Sequence, residues 1–279
     1  MAKRFLKFPF TIPSWAILSL MMNGVLFIAL LVIWQEKSDG GEPSVLPQAN
    51  AAYADHPTPA AITTAPAGGR QRLTYQQWVT LLGQEIETMA AKNPDHLTIL
   101  LGDSLSLWFP AELLPGRRVW MNQGISGEKT HTLLNRLHLL DVADVDTIFL
   151  MIGINDLIWG QSDQQVLTNY RDIMDYLSTH HPDTQVVVQS ILPHGAEAAT
   201  WESRALLLEL PNERIRAMNK SLQKIAEGYD AHYLELYPIF SNGDGNLRPD
   251  LTTDGLHLNR EGYLVWRAAI ALYSQLELP

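Results

Sequence analysis

The chain contains no cysteine. That excludes disulfide frameworks, thiolate zinc sites, iron–sulfur clusters and cysteine nucleophiles, and it suits an oxidising compartment. Basic residues are also scarce: 20 Lys and Arg stand against 30 Asp and Glu, a formal net charge of −10. This is the wrong sign for gripping nucleic-acid phosphates, so no nucleic-acid partner is expected. There is no internal repeat, and long apolar runs are absent with one exception. What the chain does have is 279 residues that are 46% hydrophobic, enough for one sizeable core or two small ones.

The exception is WAILSLMMNGVLFIALLVIW, residues 15–34, which carries no charge. As a helix it would span roughly 30 Å, the thickness of a bilayer's hydrocarbon core. Lys3, Arg4 and Lys7 precede it and a tryptophan marks each end, so it reads as a single-pass signal anchor. Residues 1–14 would then stay cytoplasmic, with everything after Trp34 extracytoplasmic. The alternative is a cleaved signal peptide and a secreted product. Against it, the run is longer than a signal h-region, and the first A-x-A match, Ala49-Asn50-Ala51, lies well downstream.

Residues 35–70 hold Pro43, Pro47, Pro57, Pro59, Pro66 and two Gly-Gly pairs without apolar periodicity. They read as a flexible linker ahead of a folded domain at 71–279. That domain opens with an extra helix (71–93), whose Trp78, Leu81, Leu82, Ile86 and Met89 share one face. Strand-like stretches follow at 97–101, 118–122, 147–152, 184–192 and 231–236. Amphipathic helices are expected at about 126–139, 164–180, 211–228 and 261–276. Short, nearly continuous apolar strands alternating with helices imply a parallel sheet covered on both faces. Functional residues then belong at the carboxyl ends of the strands.

Four fragments fall there. Gly102-Asp103-Ser104-Leu105 follows the first strand, where a tight strand-to-helix turn can expose a serine hydroxyl beside its own N–H. Asn122-Gln123-Gly124 ends the second, where a glycine can present a bare N–H. Gly153-Ile154-Asn155-Asp156 follows the third, where an asparagine amide can donate to the same point. Asp254-Gly255-Leu256-His257 precedes the last helix, and a carboxylate three residues before an imidazole can hold its Nδ1–H. Each fragment alone has an ordinary reading as a turn or cap. Together they supply a nucleophile, an oriented base and three N–H donors, the parts needed for acyl transfer from an ester.

In order and spacing these four fragments resemble the blocks of the SGNH (GDSL-type) hydrolase family, over about residues 95–275. The resemblance implies a flavodoxin-like three-layer α/β/α sandwich with a five-stranded parallel sheet and no cofactor or metal. By the same resemblance Ser104 is the nucleophile, His257 the general base and acid, and Asp254 its orienter. The oxyanion hole is implied to be the N–H groups of Ser104 and Gly124 with the Asn155 amide, while Asp103 braces the turn.

The resemblance leaves the substrate open between a lipid acyl ester and an acetylated envelope carbohydrate. Leu105, Trp108, Ile154, Trp159 and Leu256 are candidate substrate-binding residues, though such apolar residues are as readily core. The stretch 194–210 is a candidate lid, with His194 at the border of the site. Alternatives to hydrolysis are an O-acyltransferase using the same triad and a non-catalytic envelope binding protein. Nothing calls for an oligomer, so a monomer is expected. The run Asn242–Asn246 has the look of a calcium loop but lacks its glycine and glutamate, so it reads as a polar turn.

Overall fold

The computed structural model describes residues 73–116 and 118–278. The anchor at 15–34 and the linker at 35–70 lie outside the described residues. Among the described residues, no helix is long and apolar enough to cross a membrane.

The first helix, α1 (Tyr75–Lys92), starts at a capping box in which Thr74 accepts from the Gln77 N–H and Gln77 returns the bond. It ends at Asn93 in the left-handed region. Next come β1 (Leu97–Gly102), α2 (Ser104–Leu107), β2 (Val119–Gly124), α3 (Thr130–Arg136), β3 (Thr147–Met151), α4 (Ile154–Ile158) and α5 (Asp163–His180). The chain continues through β4 (Gln185–Gln189), α6 (Arg204–Glu209), α7 (Asn212–Gly228), β5 (His232–Leu234), α8 (Tyr237–Phe240) and α9 (Arg260–Leu276). The five strands form one parallel sheet in the order β2-β1-β3-β4-β5.

Strand side chains alternate between two cores, which is why the strands read as continuous apolar runs. Ile99, Leu101, Ile148, Leu150, Val186 and Val188 pack with α5 and α7 through Tyr170, Ile173, Met218 and Leu222. Leu100, Phe149, Met151 and Val187 face the other way, against Tyr263, Trp266 and Ile270 of α9. The result is the expected three-layer α/β/α sandwich. The expected fifth strand shrinks to three residues. Leu236, placed in it by its apolar neighbours, instead leads into α8 and gives its N–H to Ser190 Oγ at 2.8 Å. The short helices α2, α4, α6 and α8 are too brief to leave a periodic signal.

Register brings the site together. Gly102 of β1 lies level with Gly124 of β2 and Met151 of β3, so the segments leaving all three strands start side by side. Gly102 has to be glycine, because an added Cβ would lie 2.1 Å from the Met151 carbonyl oxygen.

Candidate active site

Ser104 is the first residue of α2, so its N–H makes no intrahelical bond. Asp103 caps that turn through its Oδ1, which accepts the Leu105 N–H at 3.0 Å. Asp103 is fully buried, and burial pushes its carboxyl up to about 7 against the bond from Leu105, with the charges of Glu128 and Asp156 adding to the rise. Its buried side chain braces the turn through that bond.

His257 Nε2 lies 3.2 Å from Ser104 Oγ, and His257 Nδ1 lies 2.8 Å from Asp254 Oδ2. The three side chains therefore form one hydrogen-bonded chain. Asp254 Oδ1 accepts the N–H groups of Leu256 and His257 at 2.9 and 2.8 Å. Burial alone would raise the Asp254 carboxyl, but the hydrogen bond and charge of His257 and these backbone donors hold it below its ordinary value. The turn between them needs Gly255, at φ +88°, where a Cβ would meet Ala199 at 2.6 Å. The Trp108 ring covers the imidazole with centroids 4.3 Å apart.

The segment proposed as a lid is fastened to this turn. Gly195 N–H donates to the Gly255 carbonyl, and the Thr200 and Trp201 N–H groups donate to the Asp254 carbonyl. Ala199, Trp201, Leu207 and Leu210 are buried. Residues 194–210 thus act as a buttress behind Asp254 rather than a flap. His194 belongs to the same buttress: its Nε2–H donates to the Leu210 carbonyl at 2.6 Å while Nδ1 accepts the Ala196 N–H. Burial lowers its pKa and keeps it neutral.

Asn155 donates one amide hydrogen to the Glu128 carbonyl at 3.1 Å, leaving its second hydrogen for another acceptor. Gly124 departs from expectation. Its N–H donates to Asn122 Oδ1 at 3.0 Å and is not a bare donor. A Cβ there would lie 2.4 Å from the Leu107 nitrogen, so this glycine lets α2 approach β2 closely. The neighbouring Gly127 fits the role better. It has φ +74° with open space around it, its N–H has no acceptor among the described residues, and it precedes the Glu128 that Asn155 grips.

Of the candidate substrate-binding residues, Leu105, Ile154 and Leu256 are core: they are 3%, 5% and 6% exposed and pack into the two apolar clusters. Trp108 is half-buried, and Trp159 is 47% exposed beside Asn155's helix, with Lys129 Nζ 6.0 Å from its ring. The motif reading missed two supports. Asp156 accepts the Thr130 N–H and hydroxyl at 2.9 and 2.7 Å, tying α4 to the start of α3. Glu128 and Arg136 form a buried ion pair under the loop that carries Gly127. Asn242 Oδ1 accepts the Asp244 and Asn246 N–H groups, the polar turn expected there. Among the described residues, no group of three or more His, Asp or Glu is arranged to hold a metal.

A family model of the GDSL-like lipase/acylhydrolase family matches residues 101–265, which contain all four fragments. The chain belongs to that family. Residues 101–265 form an SGNH-type domain, the kind that acts on ester bonds. A curated relative of this hydrolase, the N-acylneuraminate cytidylyltransferase of Streptococcus agalactiae serotype V, is 26% identical over 170 residues. Those residues are 61% of this chain and 36% of that protein, so the hydrolase spans about a third of the length of the curated relatives it matches. Among solved structures, a proposed platelet activating factor from Streptococcus pneumonia is 26% identical with a TM-score of 0.60, covering 71% of this chain and 95% of the other. A GDSL-like lipase from Bacteroides thetaiotaomicron, 18% identical with a TM-score of 0.58 over 71% of this chain and 98% of its own, shares the fold.

Proposed function

We propose that the chain is a membrane-anchored, extracytoplasmic serine esterase that removes short acyl groups from a carbohydrate alcohol. The short acyl group rests on one observation: Leu105, Ile154 and Leu256 are spent on the core. Of the candidate substrate-binding residues, those left open to solvent are the half-buried Trp108 and the exposed Trp159, and aromatic rings suit a sugar ring more than a long chain. The anchor at 15–34 would hold the enzyme at the membrane surface, where envelope carbohydrate is within reach.

In this mechanism Ser104 Oγ attacks the ester carbonyl carbon and passes its proton to His257 Nε2. The oxyanion is received by the Ser104 and Gly127 N–H groups and the second Asn155 amide hydrogen. Collapse breaks the bond to the alcohol, which leaves with the proton from His257. Water, deprotonated by the same imidazole, then cleaves the acyl–serine bond and releases the carboxylic acid and the serine.

Esters of p-nitrophenol with rising chain length test the acyl preference. The acetate should have the highest kcat/KM, with the octanoate at least about tenfold lower. A maximum at octanoate or beyond would refute the short-acyl reading, and acyl transfer to an added sugar in preference to water would make the enzyme a transferase. Asn155→Ala should cut kcat on the acetate about a hundredfold or more, with little change in KM.

A further inference from the structure

Helix α1 lies outside the residues that match the family, 101–265, yet it reaches the oxyanion side of the site. The Tyr75 hydroxyl lies 3.0 Å from the Thr132 carbonyl and 3.3 Å from Glu128 Oε1. Glu128 is fully buried and paired to Arg136, whose Nη2 donates to the Gln123 carbonyl at 2.7 Å. Gln123 in turn gives its side-chain N–H to the Leu82 carbonyl of α1 at 3.3 Å. The segment 123–132 is thus bonded to α1 at both ends. It carries Gly127, and its Glu128 carbonyl holds the Asn155 amide. Burial and the Glu128 charge push the Tyr75 phenol up to about 12, so it stays a donor at any ordinary pH.

From this chain of contacts we infer that Tyr75 is a positioning residue for the esterase reaction, setting through Glu128 where Gly127 and Asn155 stand. The inference rests on the oxyanion assignment above. It makes the first turn of α1 part of the active site's support, although that turn touches no reacting atom. Donors that must meet an oxyanion at about 3 Å lose effect when they drift by a fraction of an ångström. The bound ester is held elsewhere, so the loss should appear in kcat and not in KM.

Tyr75→Phe keeps the ring and removes only the hydroxyl. In the full-length chain, purified in mild detergent and assayed on p-nitrophenyl acetate, it should lower kcat about five- to tenfold with KM within about twofold. The melting temperature should move by no more than about 2 °C. The decisive measurement is the same substitution in the Asn155→Ala background. Because one arm of the path runs through Asn155 and the other through Gly127, Tyr75→Phe should there cost about two- to threefold in place of five- to tenfold, a non-additivity that general destabilisation would not produce. Unchanged kcat in the single variant, or an equal penalty in both backgrounds, overturns the inference. So does a fall in kcat that merely tracks a lowered melting temperature. Full activity in Ser104→Ala would instead remove the underlying site assignment, and this inference with it.

Discussion

Ser104→Ala should lower esterase turnover roughly 10⁵-fold or more while leaving the protein folded. The side chain's one hydrogen bond runs to His257 Nε2 at 3.2 Å, and alanine is at least as good a residue as serine in a helical turn. Nothing in the packing depends on the hydroxyl, because the turn is held by Asp103 and by the fit of Gly102 against β3. Stability and activity should therefore separate cleanly. Covalent labelling by a fluorophosphonate, which reads the nucleophile directly, should disappear together with turnover. A variant that kept even a tenth of wild-type activity, or still took the label at the wild-type rate, would place the nucleophile elsewhere.

Asp254→Asn should cost on the order of 10⁴-fold in kcat at neutral pH. Asp254 accepts from His257 Nδ1–H at 2.8 Å, which leaves Nε2 unprotonated and able to take the serine proton. An asparagine can turn its NH₂ toward Nδ1, stabilising the other tautomer, in which Nε2 carries hydrogen and cannot act as a base. The amide oxygen can still accept the Leu256 and His257 N–H groups that the carboxylate accepts now. The buttress from residues 195, 200 and 201 binds backbone carbonyls that the substitution leaves in place. The fold should hold, so circular dichroism and melting should match the wild type. A loss smaller than about tenfold would show that His257 is oriented by something other than this carboxylate.

Several elements were legible in the sequence because their signals are local. A helix records itself every third or fourth residue, and 164–180 and 211–228 differ from the observed α5 and α7 by one residue at the start. A strand buried on both faces records itself as an apolar run, and all five were found, the fourth (184–192 against Gln185–Gln189) and the fifth (231–236 against His232–Leu234) too long. In the fifth, Ala231 precedes the strand and Glu235 and Leu236 follow it outside any regular element. The placement of Ser104 and Asn155 followed from reading what comes after the first and third strands of a parallel sheet, and that of His257 from the carboxylate three residues before it, ahead of the last helix.

The sequence by itself determined the layered α/β architecture, because periodicity acts between residues a few positions apart, and the order of its four fragments carried the resemblance that pointed to the family and to Ser104, Asp254 and His257. Only the tertiary structure decided what depends on distant partners. Gly124 is a spacer and Gly127 the open donor because Asn122 and α2, brought in by folding, occupy the first. Leu105, Ile154 and Leu256 belong to the core because the layers close over them. Tyr75 supports the site because α1 packs beside residues 123–132, some fifty positions along the chain. A hydrogen-bond partner or a buried face is a property of two segments meeting in space, and no single window of sequence contains both.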